Sequence, residues 1–190
     1  MRARATAALA ATLLLTAIAG CSSDGSGQPR VAKAPEAPSG VGSAGPSPSP
    51  GRESYALGDT VDIAMNGHDF SVTAIAHKDR GVPSPPGLPA DGQKWVLAEV
   101  KLCNKGGKAL GVTPFAWSLA YADGSRMEPT HVSGSGVPLP MYPLEAMIRG
   151  GDCLRGNILF EVPEDYPRAQ RVLYSPTGLD EPVEWVVPKG

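Results

Sequence analysis

The sequence predicts an all-β fold, an antiparallel β-sandwich, carried behind an export segment and a tether. Three observations predict it. Short runs rich in Val, Ile, Phe, Trp and Tyr recur between clusters of Gly, Pro, Asn and Asp, which is the rhythm of sandwich strands and turns. The longer runs alternate apolar and polar residues, as a half-buried strand must. No segment sustains a helical period.

The chain begins with Arg2 and Arg4 and an apolar run from Ala5 to Ile18, shorter than the roughly 20 residues that span a bilayer as a helix. It reads as a signal peptide, residues 1–20. Ile18, Ala19, Gly20 and Cys21 resemble a bacterial lipobox, in which small side chains admit the peptidase and the cysteine sulfur takes a diacylglyceryl group. Cys21 then becomes the first residue of the mature chain, anchored to the cell membrane on its extracytoplasmic face by more than one acyl signal, since one chain alone holds only marginally. Ala17 and Ala19 also satisfy the A-x-A pattern of ordinary secretion, so cleavage after Ala19 is the alternative. From 21 to 52 the chain is mostly Gly, Ser, Ala and Pro, too poor in large apolar groups to pack, and reads as a tether. Gly40, Gly42 and Gly45 spell a dinucleotide-binding pattern but neither follow a strand nor open a helix, so the match carries no meaning.

Residues 53–190 form one domain of ordinary size. Strands are expected near 60–65, 68–77, 94–103, 115–122, 126–131, 144–148, 153–162, 170–174 and 183–187, with Ala122, Asp123, Gly124 and Ser125 turning between two of them. In the run 95–104, Val96, Ala98, Val100 and Leu102 share one face; in 153–162, Leu154, Ile158, Phe160 and Val162 do. Cys103 and Cys153 fall on the opposite, more polar faces, where Leu97 and Leu159 are exceptions that a loop would cover.

In an exported protein Cys103 and Cys153 are expected to pair once Cys21 is lipidated, two unpaired thiols being the alternative. Bridged Cα atoms lie about 4.4 to 6.8 Å apart and sheets pack about 10 Å apart, so a pair on outer faces is predicted to staple one sheet or its edge. Two long Pro- and Gly-rich connections, 79–92 and 132–143, exceed what a hairpin needs. The second offers Val137, Leu139, Met141 and Tyr142 as a candidate apolar binding loop, or as a plug for one end of the sandwich.

The domain holds 12 Lys and Arg against 17 Asp and Glu with no basic cluster, which argues against nucleic acid and anionic lipid surfaces as partners. His68, Asp69, His77, Asp79 and His131 have metal-binding chemistry but poor spacing, because His68 and His77 stand roughly 30 Å apart at opposite ends of one strand. Met65, Met127, His131, Met141 and Met147 form no tight soft-metal cluster. No metal or cofactor is therefore expected. The chain lacks a nucleophile elbow and a zinc-protease helix motif, and Ser133 and Ser135 near His131 have no orienting carboxylate, so no enzyme activity is expected. Trp95, Trp117 and Trp185 sit among strand-forming neighbours, where packing explains them better than sugar stacking.

The segments GQKWVLAEVKLCNKG, TPFAWSLAYADGSRMEP and GGDCLRGNILFEVP together resemble the immunoglobulin-like domain of unknown function found in lipoproteins of actinobacteria and other Gram-positive bacteria. A mycobacterial secreted immunogenic antigen has a similar sandwich. The resemblance runs from about Leu57 to Pro188 and implies an immunoglobulin-like β-sandwich with no catalytic residues to carry over. The sequence thus points to a membrane-anchored, extracytoplasmic, non-catalytic binding or interaction module, with a protein partner at the cell envelope. A small-ligand or metal-binding carrier, or a cell-wall carbohydrate binder, is the alternative, and a concave site beside His68 or His131 would favour the carrier.

Overall fold

The computed structural model describes residues 29–34 and 53–189. Cys21, the signal peptide 1–20 and most of 21–52 lie outside the described residues. The elements in order are β1 Arg30–Lys33, β2 Ser54–Ala56, β3 Thr60–Met65, β4 His68–Lys78, β5 Gln93–Asn104, β6 Leu110–Val112, a 3-10 turn Pro114–Ala116, β7 Trp117–Ala120, β8 Arg126–Met127, β9 Ala146–Ile148, β10 Cys153–Pro163, β11 Arg171–Tyr174 and β12 Val183–Val186. They assemble into one sheet of order β1-β3-β4-β5-β10, a second of order β2-β12-β11-β7-β8, and a separate β6-β9 ribbon. All pairings between these strands are antiparallel except β12 with β2.

Alternation builds the core. Val61, Ile63, Val72, Val96 and Phe160 from the first sheet meet Trp117, Leu119, Val172 and Trp185 from the second, all in one buried cluster. Each such side chain contributes on the order of 1.5–3 kcal/mol of burial. The Trp185 indole N–H donates to the Asp59 carbonyl at 2.9 Å, which satisfies its one polar atom inside the cluster. Trp95, Leu97 and Leu159 form a second buried cluster on the outer face of the first sheet, covered by Val82, Val132, Val137 and Met141 from the two long loops. The outward leucines of the alternating runs are therefore roofed, as expected.

Asn66 and Gly67 turn β3 into β4, both with positive φ, 51° and 73°. That is the Asn-Gly hairpin whose twist matches the flanking strands. Farther along, β4 carries a bulge between Ala74 and Ala76. Ala74 pairs with Val100 and His77 pairs with Ala98, both partners facing the core. The extra residue inverts the alternation, so His77 turns inward although Phe70, Val72 and Ala74 had occupied that face with even numbers.

Cys103 and Cys153 are joined, with Cα atoms 4.0 Å apart, and sit directly opposite each other on the neighbouring strands β5 and β10. The bridge staples one sheet, as their outward faces predict.

Several boundaries differ from the sequence expectation. Arg30–Lys33, within the segment read as tether, forms β1 and pairs with β3 from Arg30 opposite Ala64 to Lys33 opposite Val61. Strand 115–122 starts instead as a turn, because Pro114 follows the Thr113 cap, whose hydroxyl accepts the Phe115 N–H at 3.4 Å. Strand 126–131 stops at Met127; beyond it only Thr130 reaches the sheet, donating its N–H to Leu159 and accepting from Glu161.

Candidate functional site

Two clefts open at opposite ends of β4. The first is apolar and lies beside His68, where the start of β4 meets β6, the Pro114–Ala116 turn and the chain after β11. It encloses about 410 Å³. Met65, Phe70, Leu110, Val112, Phe115 and Tyr174 supply its walls, and His68, Thr113, Ser175 and Thr177 its polar edge. A shallower depression of about 510 Å³ at Ala146 and Met147 continues from it, sharing Gly111, Val112 and Thr113.

The wall strands are held there by Asn104. Its buried side chain donates to the Lys108 carbonyl at 2.7 Å and the Ile148 carbonyl at 2.9 Å, and accepts the Gly106 N–H at 3.0 Å, fixing the β6-β9 ribbon against the sandwich. Phe115 and Met147 flank the opening with 55% and 67% of their surface in solvent, a large apolar exposure for residues this close to a cleft. His68 Nδ1 is buried without a hydrogen-bond partner. Tyr174 packs against Trp117 with ring centroids 4.7 Å apart and the planes tilted by 50°, and burial raises its hydroxyl pKa, so it stays neutral. The cleft thus combines apolar walls with a few polar atoms, the usual make-up of a small-ligand site.

The second cleft, of about 820 Å³, is polar and lies where β4 ends at His77 and Lys78, with Lys94 of β5 and the loop 164–168 around it. Lys94 Nζ donates to the Tyr166 carbonyl at 2.9 Å and stands 3.6 Å from Asp79. Tyr166 packs edge-on against Tyr121 at 4.8 Å and donates to Asp123 at 3.1 Å. Burial, then the charge of Asp79, pushes the Tyr121 hydroxyl up to about 12. Burial also pulls the His77 imidazole down to about 4; Arg168 adds to the effect and Asp79 opposes it.

The residues picked from the sequence are scattered. Val137 and Met141 cover the outer cluster, Tyr142 is buried in the main core, and only Leu139 is exposed, at 79%. The four make no common apolar surface; the chain there is a cover. Trp95, Trp117 and Trp185 are all buried, so none offers an indole face to a sugar. His68 and His77 stand at the two ends of β4, as expected, and His131 is exposed on its loop. Among the described residues no three His, Cys, Asp or Glu side chains gather closely enough to hold a metal ion. Phe115 was the missed residue. An aromatic placed after Thr-Pro, where a turn and not a strand begins, was the available signal.

No family model matches the chain, and no curated protein matches it. Its fold is similar to that of MPT63, a secreted protein from Mycobacterium tuberculosis, with a TM-score of 0.51 and 19% identity over 73% of this chain and 100% of that one. The likeness is one of fold: the two share a sandwich. Two Bacillus subtilis structures match more loosely. These are the yjhA protein, at TM-score 0.40 and 14% identity over 56% of this chain and 71% of that one, and ycdA, a candidate lipoprotein, at TM-score 0.46 and 18% identity over 62% of this chain and 36% of that one.

Proposed function

We propose that this protein is a lipid-anchored extracytoplasmic binding module, non-catalytic, that carries a small apolar or amphipathic ligand in the cleft beside His68. The carrying observation is the cleft itself: about 410 Å³ with mostly apolar walls, at the position where a concave site decides between a carrier and a loop that docks a protein. In the competing patch Val137, Met141 and Tyr142 are spent on covering the sandwich and Leu139 alone stays exposed, which weakens the docking reading. The lipobox-like run ending in Cys21 supports the anchor, and a structural neighbour described as a secreted protein accords with an address outside the cytoplasm.

The test is titration with a solvent-sensitive apolar dye, 1-anilinonaphthalene-8-sulfonate, against the wild-type protein and Phe115→Asp. Phe115 is over half exposed, so the substitution leaves the fold intact while charging the mouth of the cleft. The wild type is expected to saturate with one equivalent, and Phe115→Asp to bind at least about tenfold more weakly, the equivalent of 1.4 kcal/mol. Equal binding by both proteins, or no saturable signal from the wild type, rejects the cleft as a ligand site.

A further inference from the structure

The His77 cleft is built differently and stands apart from the apolar site by the length of β4, roughly 30 Å at 3.3 Å per residue. We propose that it binds a small oxyanion, a carboxylate or phosphate, on the imidazole N–H of His77 at the floor and the guanidinium groups of Arg80 and Arg168 at the rim.

The floor carries the first observation. His77 is only 8% exposed, lines the cleft, and has neither ring nitrogen hydrogen-bonded. Buried polar atoms are ordinarily paired, and two on one ring mark a position with hydrogen-bonding capacity to spare. The bulge in β4 is what aims the ring inward; continuing the register of Ala74 with Val100 unbroken would set His77 opposite Leu97, on the outer face of the sheet. Held neutral by burial, the ring offers one N–H to an acceptor and one lone pair to a donor.

Charge supplies the second observation. Asp79 in the floor is offset by Lys94 at 3.6 Å, and that lysine is tied to the wall through the Tyr166 carbonyl. What remains at the rim is Lys78, Arg80 and Arg168 against Glu164 and Asp165, a local cationic surplus on a domain whose acidic residues outnumber its basic ones. Arg80 and Arg168 make no ion pair with other described residues, and both guanidinium forks match the planar oxygens of a carboxylate or the edge of a phosphate.

The test follows the imidazole ring signals of the three histidines by NMR while inorganic phosphate, then citrate, is added at constant ionic strength. The His77 signals are expected to shift saturably while those of His68 and His131 hold still. Arg168→Gln, at an exposed position that spares the fold, is expected to weaken the response at least about tenfold, the equivalent of 1.4 kcal/mol. A response to phosphate alone or to citrate alone supports the site and names its ligand class. An unmoved His77 in both titrations, a shift shared equally by His131, or an undiminished response in Arg168→Gln overturns the proposal.

Discussion

Gly156 lies in the middle of β10, paired with Val100, where the sequence shows only an ordinary strand. A Cβ there would lie 2.6 Å from the backbone nitrogen of Tyr142 and 2.7 Å from its Cα. The chain before β9 runs against β10 at this point, with the Tyr142 N–H donating to the Asn157 carbonyl at 2.9 Å and the Asn157 N–H donating to the Pro140 carbonyl at 2.7 Å. Gly156→Ala must push that backbone away, and a loss of about 1–3 kcal/mol, read as a lower urea midpoint, is expected. Gly107→Ala meets nothing within 4 Å and serves as the control, expected within about 0.5 kcal/mol of wild type. His77 makes the second residue-scale prediction. Its folded-state pKa of about 4 lies below the ordinary 6.5, so between those values the unfolded chain binds more protons than the folded one. Stability is therefore whole above about pH 6.5 and falls as pH drops towards 4, by roughly 2–4 kcal/mol in all. Urea midpoints at both ends of that window are expected to converge in His77→Gln.

Among the elements, β5 and β10 matter most, because they carry the longest register in the sandwich and the only bridge between described cysteines. Cys103 and Cys153 are 50 residues apart in sequence, and closing a loop of that size removes unfolded-state entropy worth roughly 3–4 kcal/mol. The Cys103→Ser, Cys153→Ser double variant is expected to lose stability of that order in urea unfolding while keeping the sheet's circular dichroism. These two strands were also the most legible, since over eleven paired positions the apolar residues favour one face, with Leu97 and Leu159 the exceptions that the loops cover. β1, β2 and β6 were not legible. β1 buries only part of Val31, β2 only Tyr55, and β6 is Leu-Gly-Val, so none has enough alternation to announce a strand; each forms because a neighbouring edge accepts it. The bulge at the end of β4 was hidden for a related reason: Ala74, Ile75 and Ala76 show no break, and only the register against β5 reveals it. The apolar cleft needed three separate segments, 65–70, 110–116 and 174–177, brought together, which local patterns do not encode.

At the scale of the whole molecule, the sandwich has an apolar cleft at one end of β4 and a polar one at the other, with the two long loops closing its outer face between them. β1 brings the start of the sandwich from residue 53 back to residue 30. In the proposed arrangement the chain from Cys21 to Pro29 spans at most about 30 Å, so an anchored domain sits close to the bilayer and not at the end of a long leash. That arrangement, and the proposal that the cleft serves the envelope, depends on the chemistry at Cys21. The intact mass of the protein recovered from its own cells without reductant tests it most directly. A membrane-bound chain beginning at Cys21, heavier by its acyl groups and lighter by the two protons of the Cys103–Cys153 bridge, is the expected result. An unacylated chain beginning at Gly20 and recovered from the medium contradicts it.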